Sequence, residues 1–389
     1  MILSGKALLA AGLLIWVVAR VHWRDYAQLR AGGGTCTVLA ALPTAEAPQR
    51  LRVRFGPPWS RRVELRGVTE FEPMPSSRQV IRPGFVTSLR EIHVPLAGLA
   101  AMGFGVSLLL VAVRWRLLLR IQEIPISLWE AVRLTFLGQF FNAVVPGTVG
   151  GDLVKAYYAA KHTPRKAAAL VSVFVDRLLG LVELALMAAV MLGVMLAGDP
   201  AGWAEYRLPA VSVAVILVVV SGLLLFLLSA AFRRALRLER LYRRLPIAHH
   251  IAAAGHAARL YRRHLGCLVK AVGISFVAHL AFVGFIALTG RSLSIQTPWY
   301  TYFLYVPLIY IIGAVPLTPG GVGWIENWYV EFFRASPSGV STILVLALLA
   351  RLVPILWGLP GVIVAVTGVR LPGAESMQAE LAAGDGAGE

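Results

Sequence analysis

The chain has 389 residues, 58% of them hydrophobic and only 15% charged, and its mean hydropathy is +0.71. That composition excludes an ordinary soluble domain. The net charge is +17, but the basic residues gather at the ends of apolar runs, as positive-inside loops do, which argues against nucleic acid as a partner.

Taken in chain order, "ALLAAGLLIWVVARV" (7–21) follows Lys6 without a small-residue cleavage site and reads as a transmembrane anchor. Residues 22–91 are polar. Within them "LRVRF" and "RRVEL" alternate with period two on either side of "GPPWS", which predicts a β-hairpin in a small soluble insert. A span is expected at 92–113, an amphipathic or re-entrant helix at 126–142, a Pro-Gly break, and a helix at 151–161. Spans follow at 166–196 and 208–231, then a basic linker at 233–264. A span at 267–289, a helix at 299–315, a second break and a final span at 340–369 complete the membrane region. The predicted divisions are an anchor (1–21), the insert (22–91), a membrane domain (92–370) and a disordered tail (371–389).

The two breaks are related. "VPGTVGG" (145–151) and "VPLTPGG" (315–321) share five of seven residues, 170 positions apart. Each is followed by a carboxylate, Asp152 or Glu326, and each carboxylate has an arginine 25 positions later, Arg177 or Arg351. An odd number of spans lies between the breaks, so two re-entrant hairpins would enter from opposite sides. The expected fold is therefore an all-α polytopic membrane protein, an inverted repeat with two broken-helix hairpins and a small β-containing insert. Such repeats place binding sites near the bilayer midplane. Irregular backbone at that depth must be buried in protein or line a wet cavity. A helix start after each break offers unpaired N–H donors, which suit an anion such as a lipid phosphate.

Charged side chains also fall inside apolar runs. "VSVFVDRLLGLVEL" puts Asp176, Gly180 and Glu183 on one helical face with Arg177 beside them. These groups either serve a polar ligand or neutralise one another as helix glue; unpaired, each costs at least ~2.5–3.5 kcal/mol at the membrane centre. Arg351 sits in the middle of the last span, just before Pro354.

"FLGQFFNAVVPGTVGGDLVKAYYAAKHTPRKAAALVSVFVDRLLGL" resembles the flippase-like membrane domain of the lysyl-phosphatidylglycerol synthase family, and "AVPLTPGGVGWIE" resembles its second signature. The resemblance covers about 92–370 and implies translocation of polar lipids between leaflets. Positions matching it are Asn142, Pro146, Gly150, Gly151, Asp152, Lys155, Asp176 and Arg177, then Pro316, Thr318, Pro319, Gly320, Gly321, Glu326 and Arg351. With Tyr158 and Glu183 added, and without Pro316 and Pro319, these are the candidate substrate-binding residues. No aminoacyl-transferase domain follows the spans, so lipid lysinylation is not expected, and the insert lies outside the recognised pattern.

No catalytic motif survives inspection. "VGGD" (149–152) has valine where an intramembrane aspartyl protease has glycine, and no HExxH or P-loop lysine motif occurs. "GVGWIE" (321–326) mimics a dinucleotide fingerprint but has neither the preceding strand nor the third glycine. Cys36 and Cys267 are too few for a disulfide framework or zinc site. His249, His250 and His256 read as solvated, and His279 as a satisfied packing residue. The expected function is flipping of a polar or anionic lipid, with no catalytic residue, metal or cofactor. Alternatives are a scaffold or accessory subunit of a lipid or glycan pathway, or a membrane-embedded transferase. The expected partner is an anionic phospholipid or lipid-linked glycan. An oligomer and a lipid-modifying enzyme are further candidate partners. Basic loops at 114–133, 155–166 and 233–264 predict a plasma (inner) membrane protein with both termini cytoplasmic and the insert outside.

Overall fold

The computed structural model describes residues 11–13, 15–16, 20–30, 35–42, 50–55, 62–73, 80–144, 150–163, 166–199, 203–228, 264–315, 317–334 and 336–367. Most of the anchor, the core of the first break, most of the basic linker and the tail lie outside them, as do Pro146 and Pro316.

The N-terminal sheet has four antiparallel strands in sequence order, β1 (Tyr26–Gln28), β2 (Thr35–Leu42), β3 (Arg50–Arg54) and β4 (Val63–Gly67). The expected hairpin is its β3–β4 half, in register from Arg50 opposite Gly67 to Arg54 opposite Val63. Alternation along β3 buries Leu51 and Val53 with Ala27, Cys36 and Phe71, while Arg52 points to solvent. The sequence reading missed β1 and β2. β1 is three residues long, and β2 is apolar almost throughout, with a bulge between Val38 and Ala40 that breaks its alternation.

A short helix, α1 (Phe85–Arg90), leads into the membrane domain. There follow α2 (Val94–Ile121), α3 (Leu128–Val144), α4 (Gly150–Ala160), α5 (Lys166–Gly198) and α6 (Trp203–Leu228). Then come α7 (Leu265–Ser292), α8 (Tyr302–Gly313), α9 (Trp324–Phe332), α10 (Gly339–Gly358) and α11 (Pro360–Thr367). Among the described residues five helical stretches are long and apolar enough to cross a bilayer: α2, α5, α6, α7 and the α10–α11 run. They coincide with the five spans expected after residue 91. One boundary moves. The expected span at 92–113 continues to Ile121, so Arg114 does not begin a loop but sits buried inside a helix. A charge that finds a carboxylate across the helix interface need not end the helix.

The helical body is wired twice over. α2 packs on α3 as α7 packs on α8; α3–α4 and α8–α9 are both antiparallel hairpins; α4 lies on α5 as α9 lies on α10. Across the halves, α3 packs on α10 and α8 on α5, one contact exchanged for the other. The correspondence reaches single residues. α2 and α7 are both 28 residues long, begin after His93 and His264, and are followed by the non-glycine positive-φ residues Glu123 and Ser294, all offset by 171. α2 and α7 also pack on each other and run antiparallel. Ser107 Oγ donates to Ala278 O at 2.8 Å near both midpoints, while Arg114 reaches back to Ser275. Corresponding helices of opposite direction are what a two-fold axis lying across the helices produces.

The segments flanking the sheet, residues 20–22 and α1, dock on α9 and the start of α10. The backbone N–H of His22 donates to Ser341 Oγ at 3.0 Å, Ser88 and Thr342 share a hydroxyl bond of 2.9 Å, and Arg20 pairs with Glu331 at 3.3 Å.

Candidate functional site

In the first hairpin, α3 and α4 approach closely enough that a side chain at Gly138 or Gly151 would strike the facing backbone or the stem of Lys155. Glycine is required there by contact, not by φ. Asn142 Oδ1 accepts from Gly151 N at 3.0 Å, satisfying one of the donors that the start of α4 leaves unpaired. Gly150 opens the helix, and the first turn then carries Asp152.

Beside this hairpin lies a cavity of about 600 Å³ between α2, α3, α4, α5, α7 and α8. Asn142, Asp152, Lys155, Asp176 and Arg177 line it, joined by Arg114 from α2. Apolar side chains, among them Leu108, Val111, Leu181 and Phe282, make up much of the rest. The charges are paired across helices. Arg114 Nε donates to Asp176 Oδ1 at 2.8 Å, with both side chains buried. Lys155 Nζ stands 3.8 Å from Asp176 Oδ2 and 4.3 Å above the Trp115 ring. Arg177 Nε meets Asp152 Oδ2 at 2.5 Å, and its side chain is 46% exposed. Phe174, one turn earlier and 44% exposed, shares that open edge of the cavity.

Asp176, Arg177 and Glu183 therefore do not neutralise one another. Adjacent residues on a helix point about 100° apart, so Asp176 faces α2 while Arg177 faces α4. Glu183 Oε2 is 3.1 Å from His279 Nδ1 on α7. His279 lines the cavity as well as packing against its neighbours.

The second hairpin is organised differently. Gly320, Gly321 and Gly323 all have positive φ, so only glycine carries the chain through this turn without strain. Arg351 Nε donates to Glu326 Oε1 at 2.6 Å, and its two terminal nitrogens donate to the carbonyls of Gly320 (2.8 Å) and Gly321 (3.1 Å). Glu326 Oε2 in turn accepts from Gly323 N at 2.8 Å, so the carboxylate caps the start of α9. Thr318 is buried, its hydroxyl without a partner among the described residues. Thr318, Gly320, Gly321, Glu326 and Arg351 form one cluster, and none of them lines the cavity. Nor does Tyr158, whose ring stacks edge-on with Tyr157 at 5.6 Å under Lys161.

Sequence reasoning missed Arg114, Ser275, His279 and Tyr310. Arg114 had a visible signal, since the apolar run resumes after it as "LLLRI". The others carry no spacing pattern with α5 and come together only through packing of α7 and α8 on it.

A doubled helical body with five membrane-long stretches among the described residues, and a charged cavity walled in part by three of them (α2, α5 and α7), defines a polytopic membrane protein with an internal repeat. Residues 84–361, well over half of the chain, match the lysylphosphatidylglycerol synthase TM region, and the chain belongs to that family. The match begins beyond β4, so the sheet lies outside it. Among curated proteins none matches the chain.

Proposed function

We propose that this protein moves a polar or anionic lipid between the leaflets of a membrane, with the head group seated in the first-half cavity and the acyl chains outside it. The observation that carries this reading is the cavity itself. About 600 Å³ is in the range that encloses a drug-sized polar group. It combines Arg114, Lys155 and Arg177 with apolar walls, and its open edge pairs the half-exposed Arg177 with the half-exposed Phe174. A phosphate can exchange with the carboxylate partner of an exposed arginine at modest cost, because such a pair is worth little on its own. An acyl chain suits the neighbouring phenylalanine. Membership of a family named for a lipid synthase's membrane region supports a lipid as the cargo.

On this reading α3–α4 and α8–α9 are the two re-entrant hairpins. α4, α8 and α9 have 11, 12 and 9 residues, or at most about 18 Å at 1.5 Å per residue, short of the ~30 Å hydrocarbon core. The test is movement of fluorescent-tailed phosphatidylglycerol between leaflets of proteoliposomes. Wild type equilibrates the probe, and Asp152→Asn with Arg177→Ala slows it at least tenfold at unchanged folding. A purified, folded protein that leaves the probe in its original leaflet overturns the reading and favours a scaffold or accessory role.

A further inference from the structure

His279 in the cavity wall is paired with Glu183 behind it, and head-group binding uses neither. Glu183 on α5 and His279 on α7 meet at 3.1 Å, with side-chain exposures of only 7% and 14%. His279 Nδ1 faces two acceptors, that carboxylate and the Ser275 carbonyl at 2.9 Å. Nδ1 therefore carries the hydrogen and Nε2 the lone pair. Nε2 has no hydrogen-bond partner among the described residues. The ring edge bearing it faces Gly180, and both residues line the cavity. Glu183 Oε1 is buried and also without a partner. Imidazole is the side chain whose charge ordinarily changes between pH 5 and 8. Here it presents a lone pair to a cavity with a carboxylate behind it.

The surrounding charges give that proton a purpose. Arg114 on α2 donates to Ser275 Oγ, which stands 3.5 Å from His279 Nδ1, so the pair joins the chain Asp176–Arg114–Ser275–His279–Glu183. α4 contributes Asp152 and Lys155 to the cavity, α5 Asp176 and Arg177, and α8 Tyr310. In their ordinary charge states Arg114, Lys155 and Arg177 balance Asp152, Asp176 and Glu183 while His279 is neutral. A monoanionic head group entering the cavity leaves one negative charge in excess, and a proton on Nε2 removes it. Uncompensated charge at membrane depth is strongly disfavoured, so the two ligands favour each other reciprocally. We infer that Glu183–His279 is a proton-binding site, and that one proton enters and leaves with each anionic head group. The inference rests on the head-group reading of the cavity. The proton is taken from the side to which the cavity is open, held on Nε2 while Glu183 on the Nδ1 side stabilises the resulting imidazolium, and released on the opposite side with the lipid.

The experiment uses the full chain in phosphatidylcholine vesicles containing fluorescent-tailed phosphatidylglycerol, a pH-sensitive dye trapped inside, and an imposed gradient of one pH unit. Strict one-to-one coupling shifts the leaflet ratio of the probe by up to about tenfold in the direction of proton flow. The dye reports a matching proton flux that depends on the probe. His279→Gln keeps a donor toward Glu183 but cannot accept a second proton, and it abolishes both the shift and the flux. If wild type equilibrates the probe to a ratio near one with no proton movement, the coupling is wrong and the lipid reading stands. If wild type does not move the probe at all, both fall. The wild-type arms decide the matter even where His279→Gln fails to fold.

Discussion

Two pairs of residues with the same chemistry and the same 25-residue spacing end in different circumstances. Asp152–Arg177 lies on the rim of a cavity, with the arginine 46% exposed. Glu326–Arg351 is folded inward, its arginine holding the carbonyls of a three-glycine turn. The offset of 174 that relates these pairs also relates Lys155 to Tyr329, Asp176 to Ala350 and Glu183 to Trp357. The α2–α7 offset of 171 relates Arg114 to Phe285. Beyond the Asp152–Arg177 pair, the charged members Arg114, Lys155, Asp176 and Glu183 thus have apolar or aromatic counterparts, and Phe285, Tyr329 and Ala350 are buried in the main hydrophobic cluster. The halves share a backbone plan and differ in what fills it. One keeps a polar cavity and the other a packed core.

The sharpest way to break this comparison is to remove the two arginines separately. Arg351→Ala leaves Glu326 without its cation and unties the 320–323 turn, at a cost of about 3–5 kcal/mol, and thermal unfolding of the purified protein should fall accordingly. Arg177→Ala removes the half-exposed partner of Asp152 and should cost less stability than Arg351→Ala, yet it should depress phosphatidylglycerol movement tenfold or more. Equal melting points for the two variants would erase the distinction between a structural and a functional arginine.

Arg114→Leu tests the buried end of the network. It strands Asp176 with only Lys155, 3.8 Å away, and the expected loss is again about 3 kcal/mol. Combining it with Asp176→Leu and Lys155→Met imitates the apolar second half and should recover most of that stability. Failure of the triple variant to recover would mean that the polar chain itself organises α2, α5 and α7.

Smaller effects refine the picture. Asn142→Ala removes the acceptor for Gly151 N and should cost ~0.5–2 kcal/mol, visible as faster proteolysis between α3 and α4. Ser341→Ala removes the acceptor for the His22 N–H and should cost about 1 kcal/mol, read as earlier release of residues 20–22 from α10 in hydrogen exchange. The smallest effect belongs to Glu64, whose carboxyl is held below the usual range by hydrogen bonds from Arg62 and Arg66. A lowered carboxylate contributes stability that is present above its unfolded value of about 4.3 and lost as pH falls through the folded one. Melting of the sheet should therefore be flat from pH 5 to 8 and respond to Glu64→Gln only within that plateau.

The backbone plan was legible in the sequence because membrane spans announce themselves by length and hydropathy, and because glycine and proline mark where helices break. The repeated "VP-T-GG" elements and the two carboxylate–arginine spacings identified both hairpins. The division of labour between the hairpins was not legible. It depends on which residues stand at positions the motifs do not include, such as Arg114 against Phe285 and Asp176 against Ala350. The Arg114–Asp176 and Glu183–His279 contacts bridge 62 and 96 residues of chain, so no local pattern relates them. The sheet was half legible, since β3 and β4 alternate and β1 and β2 do not.

The bond from Ser107 to the Ala278 carbonyl joins the midpoints of two equal, oppositely directed helices. It sits where the two halves exchange, so it is the place that a rotation of one half against the other displaces least. Gly138, Gly151 and the turn at 320–323 lie out on the hairpins and sweep the longer arcs. The α2–α7 pair is in this sense an axle. On the lipid-moving reading of the cavity, a cross-link there should leave transport intact, whereas one between α3 and α10 should stop it.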